Sequence, residues 1–148
     1  MTTVRKLLEA KKSNVNHSVA STDTVLQALK VMTDLHIGAV LVTEGGKIVG
    51  IYTERDYVYK GEVEGRLAKD TKVKDVMSSR MITVTKDASI EQCMGLMRQY
   101  NFRHLPVVEN DQLVGLVSIR DVLFAALESK ENEIRGLENY IMGSGFQS

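Results

Sequence analysis

Apolar residues recur along this chain in two rhythms, and both rhythms come round twice. Val25, Leu29, Met32 and Leu35 fall three or four residues apart, as do Ile90, Cys93, Met94 and Met97. That spacing makes one buried stripe on an amphipathic helix. Each stripe follows polar residues suited to a helix start, Ser21-Thr22-Asp23 in the first case and Lys86-Asp87-Ala88-Ser89 in the second. A short extended piece leads in, Ser18–Ala20 or Ile82–Thr85, and a β-branched strand follows, Ala39–Thr43 or Leu105–Val108. The polar turns Glu44-Gly45-Gly46 and Glu109-Asn110-Asp111 have hairpin chemistry and lead into second strands, Lys47–Tyr52 and Gln112–Val117. A further helix starts at Thr53 or Ser118. The predicted order is β-α-β-β-α, twice.

The two passages are copies. Shifted by 65 positions, Thr24–Tyr57 aligns without gaps on Ser89–Val122. Eight of 34 positions are identical: Gln27/Gln92, Met32/Met97, Val42/Val107, Glu44/Glu109, Val49/Val114, Gly50/Gly115, Arg55/Arg120 and Asp56/Asp121. Ordinary composition gives about two. Before each copy stands a weaker echo, Val4-Arg5-Lys6-Leu7-Leu8 and Val73-Lys74-Asp75-Val76-Met77. One unit of this size buries too little surface to stand alone, so the expected fold is α+β, two repeats packed sheet to sheet about a pseudo-twofold axis. The expected divisions are an N-terminal helical segment (1–17), repeat 1 (18–66), a linker (67–81), repeat 2 (82–127) and a C-terminal helix and tail (128–148). Charge runs from about Gly61 to Thr71 into that linker. In the last helix Leu123, Leu127, Ile134, Leu137 and Ile141 keep steps of four and three once Lys130 is counted as a skipped position. Two readings stay open: a helix lying on its own domain, or a self-association seam interrupted by Lys130 and Gly136.

Composition narrows the function. Nineteen basic residues balance nineteen acidic ones, which argues against a protein that grips a nucleic-acid backbone. A small anionic ligand needs only a local cluster and stays open. The single Cys93 gives no disulfide framework, and its helical spacing reads as packing rather than as a nucleophile. The longest apolar runs fall short of the ~18 residues of a membrane span, and MTTVRKLLEAKK lacks the apolar core of a signal peptide, so a cytoplasmic location is expected. His17, His36 and His104 are far apart and match no zinc spacing, so no metal is expected. The methionines read as core, and the scattered aromatic residues form no stacking platform.

Both copies carry Gly, two apolar residues, a hydroxyl, any residue, then Arg-Asp: GIYTERD at Gly50–Asp56 and GLVSIRD at Gly115–Asp121. Thr53 with Asp56, and Ser118 with Asp121, have capping-box spacing. Gly50 and Gly115 suit strand positions where another part of the chain comes close. Capping explains the hydroxyl and the acid. It does not explain Arg at the same place twice.

The order, spacing and duplication together resemble the CBS-domain pair, or Bateman module, over Ser18 to Leu127, with Leu105-Pro106-Val107-Val108 on the second copy's strand. Small free-standing bacterial members look most similar. The resemblance implies a regulatory sensor, not an enzyme, that holds an adenosyl ligand (AMP, ADP, ATP, an NAD-type molecule or S-adenosylmethionine) in clefts between the repeats. It also implies a homodimer of pairs. The implied first site sets Thr53, Arg55 and Asp56 against Met81, Ile82, Phe102, Arg103 and His104. The implied second site sets Ser118, Arg120 and Asp121 against His17, Val19, Ile37, Gly38 and Ala39. In that scheme Asp accepts the ribose hydroxyls, and the hydroxyl side chain, helix-start N–H groups and Arg suit phosphate. Arg103-His104 stands where the other copy has Gly38-Ala39, so the Asp56 site is expected to take more phosphate charge. The competing classes are a ligand-free structural or partner-binding protein, a nucleotide-converting enzyme and, more weakly, a DNA binder.

Overall fold

The computed structural model describes residues 2–11 and 18–145. A seven-residue helix, α1 (Val4–Ala10), opens the chain. Repeat 1 is β1 (Ser18–Ala20), α2 (Val25–Leu35), β2 (Ala39–Glu44), β3 (Lys47–Thr53) and α3 (Glu54–Asp56), which continues as a π-helical turn, Tyr57–Glu62. Repeat 2 is α4 (Ile90–Tyr100), β4 (His104–Glu109), β5 (Gln112–Ser118) and the 27-residue α5 (Ile119–Gly145).

The amphipathic helices start one step from where the polar cluster alone puts the first of them. Thr24, not Ser21-Thr22-Asp23, caps α2, because Gln27 three residues on reaches back to close a capping box. Ser89 and Gln92 do the same for α4. This is why Gln27 and Gln92 are alike in both copies. Asp23 instead accepts the Ala20 backbone N–H at 2.9 Å. The hairpins match in their turns as well. Gly45 and Gly46 take positive φ (56° and 83°), and so do Asn110 and Asp111 (51° and 61°). That is the twist a two-residue hairpin needs, and Asn and Asp tolerate it best after Gly. Both hairpins carry a bulge at the same place, after Val42 and after Val107.

One predicted strand shrinks. β1 pairs in parallel with β2 over Ser18–Ala20. Its counterpart, predicted over Ile82–Thr85, makes a single bridge, Val84 to Val107. Val84 N–H donates to Pro106 O, and Val108 N–H donates to Val84 O. The next bond of a parallel ladder needs an N–H from residue 106, and proline has none.

Each repeat has its own core, and a third cluster joins the sheets. Ala39, Leu41 and Ile51 of repeat 1 meet Leu113 and Leu116 of repeat 2, with Met81 from the linker. The two echoes explain how the repeats are locked together. Val4 and Leu7 of α1 are buried in the core of repeat 2, whereas Val73 and Val76 of the linker are buried in the core of repeat 1. The backbone bonds repeat too: Val4 N–H donates to Ala88 O, and Val73 N–H donates to Asp23 O. So each core is closed by the segment that precedes the other repeat.

The matching placement of Gly50 and Gly115 follows from this crossing. A Cβ on Gly50 would stand 2.5 Å from Met77 Sδ and 3.0 Å from the Ser78 carbonyl oxygen. The three atoms nearest a Cβ on Gly115 would all belong to the Leu8 side chain, the first at 2.8 Å. A leucine tip can move, whereas the Ser78 backbone is bonded to Ile51 in both directions. Gly50→Ala is therefore expected to cost about 1–3 kcal/mol and Gly115→Ala less than about 1 kcal/mol. Urea unfolding of the two variants checks the order, and equal costs would refute it.

Candidate functional site

Thr53 and Ser118 end their hairpins at matching positions. Thr53 N–H donates to Asp56 Oδ2 at 3.0 Å, and Asp56 N–H donates back to Thr53 Oγ1 at 3.1 Å. Ser118 and Asp121 repeat the pair at 2.9 and 3.1 Å. Both capping boxes predicted from spacing are present. The twin arginines also gain a partner: Arg55 lies over the Tyr59 ring (5.2 Å) and Arg120 over the Phe124 ring (5.7 Å). Tyr59 and Phe124 stand 65 apart, just beyond the aligned stretch, so the repeat that revealed the arginines also held their ring partners.

Around Asp56 the two repeats enclose a cleft of about 690 Å³. Thr53, Arg55 and Asp56 line it from repeat 1, Met81 from the linker, and Phe102, Arg103 and His104 from repeat 2. This is the predicted first set with one exception. Ile82 packs instead against the core of repeat 2, beside Val84. Glu54, Tyr59, Lys60, Ser78, Arg80, Asn101 and Pro106 also line the cleft and were not expected. Lys60 comes 3.4 Å from Asp56 Oδ1, and the Ser78 hydroxyl donates to the same oxygen at 3.3 Å. Lys60 reaches that place from the π-helical turn, where the Tyr57 hydroxyl bonds Glu62 five residues on. Arg80 lies over the Phe102 ring at 6.0 Å.

The cleft is electropositive. Among the described residues that line it, Arg55, Lys60, Arg80 and Arg103 stand against two carboxylates, Glu54 and Asp56. His104 adds no charge near neutral pH. Burial lowers its pKa from 6.5, and Arg103 and Lys11 push the same way while Asp121 opposes them. Behind the cleft, Tyr52 is fully buried, and burial with the Asp56 charge pushes its pKa up to about 12. Cys93 is buried in the core of repeat 2, and burial raises its thiol pKa, so it is packing.

The second predicted set does not converge. Val19 belongs to the core of repeat 1, and Ala39 is buried between the sheets. Ile37 packs against the core of repeat 1 and lines a shallow groove with His36 and Glu54. Gly38 lines the Asp56 cleft, because its carbonyl accepts the Glu54 N–H beside Thr53. His17 lies outside the described residues. Asp121 faces α1, where Lys11 Nζ donates to Asp121 Oδ2 at 2.9 Å and to Leu116 O at 2.9 Å. Burial alone would raise the Asp121 pKa, but the Ser118 N–H and the Lys11 ammonium outweigh it and hold it below 3.8. A depressed carboxylate stabilises the fold above its unfolded value and loses that contribution as pH falls through the folded one. Melting temperature should therefore drop below about pH 4, and less steeply in Asp121→Asn. Identical pH profiles for the two proteins would contradict this.

Comparison with known proteins agrees with these features. The CBS domain model matches residues 12–60 and 73–128. The mitochondrial CBS domain-containing protein CBSX3 of Arabidopsis thaliana is 37% identical, over 96% of this chain and 73% of its own length. The CBS domain-containing protein YhcV of Bacillus subtilis is 32% identical, over 80% of this chain and 82% of its own. A solved CBS-domain protein of Burkholderia ambifaria, named for signal transduction, superposes with a TM-score of 0.81 at 38% identity, covering 86% of this chain and 95% of that one. Among the described residues no helix is long and apolar enough to cross a membrane. With both halves matched and the repeat geometry shared, the chain belongs to the CBS-domain family and carries two CBS domains as a pair.

Proposed function

We propose that this CBS pair is a regulatory sensor that binds an adenine nucleotide in the Asp56 cleft and catalyses no reaction on it. One observation carries the proposal: side chains of both repeats meet in one cleft, with four cations against two carboxylates. A ligand there touches both repeats at once. It would favour one arrangement of them and report its presence by that shift. Asp56 Oδ1 faces the ribose hydroxyls, Met81 and Pro106 pack the base, and Arg55, Lys60, Arg80 and Arg103 meet phosphate oxygens. Their number favours AMP, ADP, ATP or NAD over the cationic S-adenosylmethionine. Native mass spectrometry of the freshly purified protein, followed by thermal-shift titration with each ligand, tests the reading. No carried ligand and no shift would favour a ligand-free structural role. Release of a product from ATP, NAD or S-adenosylmethionine, lost in Asp56→Ala, would make the protein an enzyme.

The sensor acts as a homodimer, through α5. Leu127, Ile134, Leu137 and Ile141 are all more than half exposed along that helix. From Lys130 to Ile141 every residue of the helix is exposed, which favours the seam of the two sequence readings. The steps of three and four match a two-helix seam, with Lys130 as its one polar position. Leu137→Glu should convert the dimer to a monomer in light scattering with little change in melting temperature. A wild type that is monomeric at tens of micromolar would refute the seam.

A further inference from the structure

We infer that Tyr57 and Gly61 are positioning residues for the Asp56 cleft: they hold open the π-helical turn that brings Lys60 onto the Asp56 carboxylate, and Lys60 in turn selects a ligand that carries phosphate. This rests on the Asp56 reading above and says how that site tells a nucleotide from its nucleoside. The second repeat is a built-in comparison. The two capping boxes are alike, and the copies part just after them. The first enters the π-helical turn Tyr57–Glu62, whereas the second runs on as the α-helix α5. At the matching places Tyr57 corresponds to Val122, Lys60 to Ala125, Gly61 to Ala126 and Glu62 to Leu127.

Those differences account for the turn. Val122 is small enough to be fully buried in the core of repeat 2, with Ala126 packed against the same core. Tyr57 packs against the core of repeat 1, and its ring needs more room. Gly61 supplies it: this glycine is buried, and a Cβ there would crowd the Tyr57 ring at 3.3 Å. The widened winding is then tied twice over a span of five residues. The Tyr57 hydroxyl donates to Glu62 Oε2 at 2.9 Å, and Val63 N–H donates to Val58 O at 3.1 Å. Such turns are rare and gather at functional sites. Here the turn delivers Lys60, a cation the second repeat lacks. Its Nζ lies 3.4 Å from Asp56 Oδ1 and donates to Ser78 Oγ at 3.3 Å. The Asp56 side chain is only 12% exposed, so its charge needs such a partner. A ribose that takes Oδ1 displaces the ammonium. A phosphate on the same ligand gives the ammonium a new anion, and adenosine gives it none.

Titration calorimetry of the full chain with AMP and with adenosine, the weaker ligand read by competition, tests this through the ratio of the two affinities. Lys60→Met should lower that ratio roughly 10-fold. Tyr57→Val with Gly61→Ala writes the second repeat's residues into the first, and should lower the ratio about as far with Lys60 still present. Adding Lys60→Met to that pair should change it little, because the two act through one ammonium. Circular dichroism confirms each fold. If the pair does not fold, Tyr57→Phe takes its place: it keeps the ring, loses the bond to Glu62, and should lower the ratio roughly threefold. A ratio unmoved by Lys60→Met overturns the inference. So does a ratio unmoved by the turn variant, or a second tenfold fall when the two are combined. A wild type that binds neither ligand removes the Asp56 reading, and the phosphate preference with it. A crystal structure of the turn variant then decides the positioning: Lys60 drawn off Asp56 supports it, and Lys60 still paired overturns it.

Discussion

Asp56→Asn should weaken adenine-nucleotide binding roughly 100-fold, the loss expected when two charge-assisted hydrogen bonds become neutral ones. The substitution is chosen for what it leaves intact. An asparagine oxygen still accepts the Thr53 N–H, so the cap that starts α3 survives. What disappears is the charge at Oδ1, the atom between Ser78 and Lys60. Asp121→Asn is the matched control, since that carboxylate is already engaged by Lys11, and its binding constant should stay within about threefold of wild type. Titration calorimetry at fixed salt reads both. Equal losses in the two variants would mean that the clefts are equivalent. No loss in Asp56→Asn would mean that the carboxylate only caps its helix. Arg103→Ala refines the picture: it should weaken ATP more than AMP, because it removes a cation from the cleft, and the ligand with more phosphate charge loses more.

Much of this was legible in the sequence because it was written twice. The register of 65 exposed the hairpins, the capping boxes and the pair of aspartates without any knowledge of the fold. The resemblance, not the register, set Thr53 and Asp56 against Phe102 and Arg103, and these four line one cleft. Its failures have physical causes. Ile82 was assigned to the cleft as part of a strand, but Pro106 removes the donor that such a strand needs, and the chain turns Ile82 into the core. His104 was counted among the basic residues, and burial keeps it neutral near pH 7. The second set does not come together in the structure: Val19 and Ala39 are core, Gly38 lines the Asp56 cleft, and Asp121 is held by Lys11. Lys11 and Arg80 each stand three residues past an echo, and an echo shows that two segments are alike without showing which repeat each will cover. That crossing is a property of packing.

Leu7→Ala should be the most damaging single truncation outside the repeats, costing about 2–4 kcal/mol. Leu7 belongs to α1, yet it is buried among Val84, Ile90, Val107 and Val117 of repeat 2. Removing its side chain opens a cavity in a core whose other members lie far along the chain. For a chain of this length the melting temperature should fall by roughly 5–15 °C. Glu9→Ala, on the exposed face of the same helix, should change it by less than about 2 °C. The shape of the transition matters as much as its midpoint. α1 closes repeat 2 and the linker closes repeat 1, with the two sheets sharing Ala39, Leu41 and Ile51 against Leu113 and Leu116. Unfolding repeat 2 releases α1 and strips the shared face from repeat 1, so neither half keeps a complete boundary alone. Leu7→Ala should therefore melt in one step at a lower temperature, by calorimetry and by circular dichroism alike. Two separated transitions would show that the repeats fold independently. The same coupling is what a sensor requires, because a ligand that bridges the halves can report only if moving one half moves the other.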